Sequence, residues 1–82
     1  MPTVLRIGAL RVAVYPNDHR PAHVHVIGNG HEAVFTLNNP AGLVTIRENY
    51  GFSARDLFRI QDVLEENLSA LTTAWERIHG TR

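Results

Sequence analysis

Three of the five histidines fall within positions 19–25, inside the run Asn17-Asp18-His19-Arg20-Pro21-Ala22-His23-Val24-His25-Val26. His23 and His25 alternate with valines, the period of a half-buried strand, so both imidazoles project from one sheet face. Imidazole titrates near neutrality and can accept or donate a proton at a 2′-hydroxyl or a leaving oxygen. The same groups can ligate a metal, or simply line a solvated face. For a metal, His23, His25 and Glu32, with His19 from the preceding loop, supply nitrogen and oxygen donors of suitable types. H-x-H on a strand is a short and common pattern, however, and two assured neighbours seldom hold zinc tightly. The expectation is no metal and no cofactor.

Arginine supplies the second chemical signal. Lys and Arg together number eight, all of them Arg, against eight Asp and Glu. Genomic base composition accounts for an all-Arg set, but the consequence is physical: each cation offers a planar fork suited to phosphate or carboxylate. The formal net charge of zero argues against a non-specific nucleic-acid coat. It leaves room for a local patch, for which Arg6, Arg11 and Arg20 are the candidates.

These residues need a scaffold, and the first half of the chain reads as strands. Residues 4–7 and 10–15 flank Gly8-Ala9, a pair suited to a type II′ hairpin turn. With that loop, Leu5 faces Val12 and Ile7 faces Leu10. Leu5, Ile7, Leu10, Val12 and Val14 then share one face, and Arg6, Arg11 and Ala13 the other. Asn29-Gly30 is the preferred type I′ pair, because both central residues need positive φ. It places Val24, Val26, Ala33, Phe35 and Leu37 on one apolar face, opposite His23, His25, Ile27, Glu32, Val34 and Thr36. A slip of one residue would mix these sets. After the turn Asn38-Asn39-Pro40-Ala41-Gly42, residues 43–47 read as a shorter fifth strand.

Ser53 starts a helix, with Asp56 three residues on as a variant capping box. Leu57, Ile60, Leu64, Leu68, Leu71, Trp75 and Ile78 form one apolar stripe, and Gly80 is placed as a C-cap. Asn67 and Ser69 can mark a break, but an unbroken stripe favours one long helix. The predicted fold is α+β, a single domain over 1–82. A mainly antiparallel sheet of about five strands carries a C-terminal helix on one face. Leu5, Val12, Val14, Val24, Val26, Phe35, Leu57, Leu64, Leu71 and Trp75 are the expected core. At this length a core is small, and without cysteine neither disulfides nor a thiolate zinc site can reinforce it. Arg6 and Arg11 interrupt the apolar N-terminus and no small-residue cleavage site follows, so neither a signal peptide nor a membrane span is expected.

With both hairpins in one sheet, Arg6 and Arg11 stand directly opposite each other, and His23 and His25 share their face. Opposed like charges are destabilising, a cost that a bound anion offsets. Other residues have structural readings. His31 falls at a hairpin turn and is expected in solvent. His79 lies where its charged form meets the helix dipole, and Trp75 and Phe58 are packing residues. Tyr50-Gly51-Phe52 is a strand-to-helix turn with an aromatic plug.

The stretch Met1-Pro2-Thr3-Val4-Leu5-Arg6-Ile7-Gly8 and the run from Asn17 to Pro21 with His23-Val24-His25-Val26 resemble the prokaryotic family called domain of unknown function 4160. Glu32-Ala33, Tyr50-Gly51-Phe52 and the tail from Glu65-Glu66-Asn67 to Ala74-Trp75 match as well. Members usually carry a larger residue, often Pro, where Ala22 stands. The resemblance implies a toxin–antitoxin component, because genes of the family often lie beside a second small family of unknown function. Small toxins of this kind are commonly ribonucleases acting on messenger RNA. No established catalytic residue carries over.

Three functions follow. The first is a ribonuclease-like toxin in which Arg6, Arg11 and Arg20 bind phosphate while His23 and His25 shuttle protons. The second is a non-catalytic module, docking a partner protein or another copy through Ile27 and Val34 on the otherwise polar face. The third is a His-based metal-binding regulatory domain. The expectation is a cytoplasmic toxin–antitoxin component with catalysis left open. Its partners would be a small cognate antitoxin-like protein, RNA or a second copy, with no membrane.

Overall fold

The computed structural model describes residues 3–16, 21–37 and 43–79. Among them the chain forms β1 (Thr3–Ile7), β2 (Leu10–Ala13), β3 (His23–Gly28), β4 (His31–Thr36), β5 (Thr45–Tyr50), α1 (Ala54–Glu66) and α2 (Leu68–His79). The strands make one antiparallel sheet in the order β1-β2-β3-β4-β5.

Both hairpin registers follow from their turns. Arg6 pairs with Arg11 and Ile7 with Leu10 around a turn in which Gly8 has φ 58°. A bulge between Thr3 and Leu5 ends this regular pairing. Asn29 and Gly30 have φ 54° and 77°, as a type I′ turn requires, and Val26 pairs with Ala33 and Val24 with Phe35. The apolar sets therefore fall on one side. Val12, Val14, Val24, Val26, Ala33, Phe35 and Leu37 are buried against Ile60 and Leu64 of α1 and Leu71 and Trp75 of α2. Leu5 and Leu57, expected in the core, are partly buried at its margin.

The helical stripe is divided. Ser53 caps α1, its Oγ accepting from Asp56 N at 3.1 Å. Asn67 (φ −113°, ψ 18°) then leaves the helical region. Its amide Nδ2 donates to Val63 O at 2.8 Å, and its own carbonyl accepts from Leu71 N at 2.9 Å, opening α2. One short amide side chain thus closes one helix while its backbone starts the next, a competition with the helical ladder that Asn makes easily. The expectation of one long helix is corrected to two.

The fifth strand also differs, running from Thr45 to Tyr50 rather than over 43–47. The residue before it is held by α1. Val44 N donates to Glu65 Oε2 at 3.0 Å, and Val44 O accepts from Gln61 Nε2. Val44 is fully buried, so both backbone groups need these partners. Gln61 and Glu65 are one helical turn apart, which lets a single helix face satisfy both. At the far end of β5, Asn49 closes the turn into α1. Its Nδ2 donates to Phe52 O at 3.0 Å, and its Oδ1 accepts from Phe52 N at 3.1 Å. Phe52 is the buried aromatic plug, while Tyr50 is 61% exposed. The expected turn over 38–42 and the Gly80 cap lie outside the described residues.

Candidate functional site

The outer face of the sheet is a grid set by the registers. One row runs Arg6, Arg11, Ile27, Glu32, Tyr50; the next runs Ala13, His25, Val34, Glu48; a third runs His23, Thr36, Thr45. The structure thus brings Arg6, Arg11, His23, His25 and Glu32 to one face. His19 and Arg20 lie outside the described residues. Arg6 is exposed and Arg11 half-buried, and neither forms an ion pair among the described residues.

His25 is diagonal to Glu32, and its Nδ1 lies 3.2 Å from Glu32 Oε2. A carboxylate only accepts, so Nδ1 carries a proton in this pair. The His25 side chain keeps 14% of its exposure and that of Glu32 42%. The Tyr15 ring meets the His25 ring edge-on, centroids 4.4 Å apart.

His23 departs from expectation. It is 5% exposed, where an open, solvated position is predicted from its strand face. Its Nδ1 donates to Pro21 O at 2.8 Å, and its ring centroid stands 5.2 Å from Trp75 and 5.3 Å from His25. Trp75 in turn stacks on His79 at 3.9 Å and 25°. Tyr15, His25, His23, Trp75 and His79 therefore form a continuous series of rings from the outer face into the helical layer. Trp75, whose large indole reaches the first residue of β3, contributes to the burial.

Val34 is likewise buried on this face, 5% exposed, so the apolar centre expected from Ile27 and Val34 reduces to Ile27. A shallow pocket of about 190 Å³ lies beside it, lined by His23, His25, Val34, Arg47 and Glu48. Arg47 and Glu48 are site residues that sequence reasoning missed. Val34 pairs with Glu48 but Phe35 with Ile46, so Arg47 is the extra residue of a bulge and joins Glu48 on the outer face. Strict alternation hides that placement.

No group of three or more His, Cys, Asp or Glu among the described residues is arranged to hold a metal ion. His25 and Glu32 meet, and an imidazole beside a carboxylate is able to pass a proton.

A larger cleft of about 440 Å³ opens at the end of the sheet, where Asn29, His31, Asp56 and Arg59 rim an apolar floor that includes Ile7, Leu10 and Phe52. His31, expected in solvent, is half-buried there, with its ring 5.2 Å from that of Phe52. Phe58, expected to pack, is 70% exposed.

The profile of the domain of unknown function (DUF4160) matches residues 10–76, which include β2 to β5, α1 and most of α2. The chain belongs to this family. No curated protein and no solved structure matches it. The DUF4160 match thus spans the histidine run, Arg47 and Glu48, and the ring series as far as Trp75. It leaves Arg6, on β1, outside its bounds. No helix among the described residues of this DUF4160 chain is long and apolar enough to cross a membrane.

Proposed function

We propose that this protein is a cytoplasmic toxin–antitoxin component that engages a phosphate-bearing partner, RNA in the first place, across the outer face of its sheet. The observation that supports this most is the direct cross-strand pairing of Arg6 with Arg11 without an ion-pair partner among the described residues. Opposed guanidiniums repel, and a bound phosphate would convert that cost into a two-forked grip. Arg47, across the same face, extends the reach of the site toward β5. Neutral net charge makes the attraction local, so the partner is recognised by geometry more than by long-range steering.

A second reading, a ribonuclease-like activity, draws on the His25–Glu32 contact. Glu32 orients the imidazole, and the His25 ring would exchange a proton with a 2′-hydroxyl. His23, buried behind it, would act on His25 by position. The non-catalytic alternative keeps the arginine grip and dispenses with proton transfer.

The test is thermal unfolding with added inorganic phosphate at constant ionic strength. A ligand of the native state raises the midpoint with concentration, and the rise should vanish in Arg6→Ala/Arg11→Ala. An equal rise in the double variant would reject the site. Expression without a cognate partner should arrest growth, and relief by His25→Ala with folding intact would favour the ribonuclease reading. Persistent arrest in that variant would leave binding alone.

A further inference from the structure

We propose that β5 is a self-association edge. Two copies would pair their β5 strands antiparallel about a two-fold axis between Arg47 and Glu48, joining two sheets into one. This goes beyond the anion-binding reading and stands without it.

β5 ends the strand order, and each of its residues is exposed. Such an edge presents unpaired N–H and C=O groups to any strand of matching shape. The large exposed hydrophobics gather beside it: Leu43 51%, Ile46 44%, Tyr50 61% and Phe58 70%. On the inner side, Ile46 faces Ala54, Leu57, Phe58 and Gln61 across an apolar groove of about 150 Å³. Exposed apolar surface gathered along an open strand is what a paired edge leaves when its partner is removed.

A second copy is the occupant that the charges favour. Thr45 pairs with Thr36, Glu48 with Val34 and Tyr50 with Glu32, all on the outer face, whereas Ile46 and Asn49 pair with the inner-facing Phe35 and Ala33. The bulge adds Arg47 to the outer set. Read in either direction, the strand therefore has the same order: outer, inner, outer, outer, inner, outer. A two-fold axis at the Arg47–Glu48 midpoint opposes Thr45 to Tyr50, Ile46 to Asn49 and Arg47 to Glu48, each pair on a common face. Two ion pairs form across the axis. Without the bulge, the same axis would set inner against outer residues.

Charges and bulges on an edge usually deter pairing with foreign strands. Adjacent charges of opposite sign deter most partners and match their own antiparallel copy, so here one device gives both exclusion and self-recognition. Glu48 of the second copy would also meet Arg47 at the rim of the outer-face pocket.

Sedimentation velocity on the full chain over a dilution series tests this. Wild type should show twice the monomer mass at high concentration and dissociate on dilution. Arg47→Glu and Glu48→Arg each oppose like charges twice and should weaken association by about tenfold or more. The double exchange Arg47→Glu/Glu48→Arg restores complementarity and should recover the dimer, and the two single variants mixed should form a heterodimer. Circular dichroism confirms that each variant is folded. Wild type that stays monomeric throughout would overturn the proposal. So would a dimer indifferent to the single reversals, or a double exchange that fails to recover association.

Discussion

The ring of His23 stands 5.2 Å from that of Trp75, tilted 48° to it, and this contact makes a strand-face histidine part of the core. His23 belongs by alternation to the outer face, with His25. Its position at the start of β3, where the indole reaches it, leaves it 5% exposed. The two histidines of the H-x-H pattern therefore divide their roles. Both line the outer-face pocket, but His23 packs on Trp75 and is tied to Pro21 O, while His25 meets Glu32.

His23→Ala should thus cost about 2 kcal/mol or more, from lost packing on Trp75 and a lost hydrogen bond. His25→Ala, whose carboxylate partner is half open to water, should cost about 1 kcal/mol or less. Urea unfolding of the two variants measures the difference. Equal costs would contradict the division.

Gly51 has φ 108°, and a Cβ there would overlap the His31 imidazole at Nδ1. Gly51→Ala should destabilise by about 1 kcal/mol or more through strain and overlap. In a His31→Ala background the overlap disappears and only the strain remains. A double-mutant cycle should show coupling of about 0.5 kcal/mol or more; strict additivity would mean that the imidazole swings aside freely.

Glu65→Ala leaves the buried Val44 N–H without its acceptor, at a cost of about 1–3 kcal/mol. Because Val44 leads into β5, the loss should appear first as faster hydrogen exchange over 45–50. Uniform acceleration across the sheet would show that the contact supports the whole fold rather than this strand.

The Tyr50 phenol is held above its ordinary pKa, first by the charge of Glu48, then by donating a hydrogen bond to Glu48 Oε1 at 3.3 Å. Burial and the charge of Glu32 add to the same direction. Its folded value exceeds the unfolded one. Any stability from this pair is therefore present below the unfolded phenol pKa and is lost as pH rises through the folded value. Glu48→Gln should lower the midpoint of tyrosinate absorbance assigned by Tyr50→Phe. An unchanged midpoint would remove Glu48 as the cause.

Much of the framework was written locally. Gly8-Ala9 and Asn29-Gly30 set loop length and turn type, and a two-residue loop determines every cross-strand partner beyond it. That is why the opposition of Arg6 and Arg11 was legible from the sequence. The same holds for the Ser53 cap and for the buried stripe of Ile60, Leu64, Leu71 and Trp75.

Depth and distant partners were decided by the tertiary structure. Alternation assigns a residue to a face but not what stands over that face, so the burial of His23 awaited Trp75, far along the chain. His31 and Gly51 likewise meet only when β4 and the turn into α1 come together. The start of β5 depends on Gln61 and Glu65 holding Val44, and the bulge at Arg47 breaks the alternation from which its face would be read. At Asn67, helical periodicity continues across the break, because apolar spacing records which side faces the core, whereas backbone continuity depends on hydrogen bonds made within a single turn.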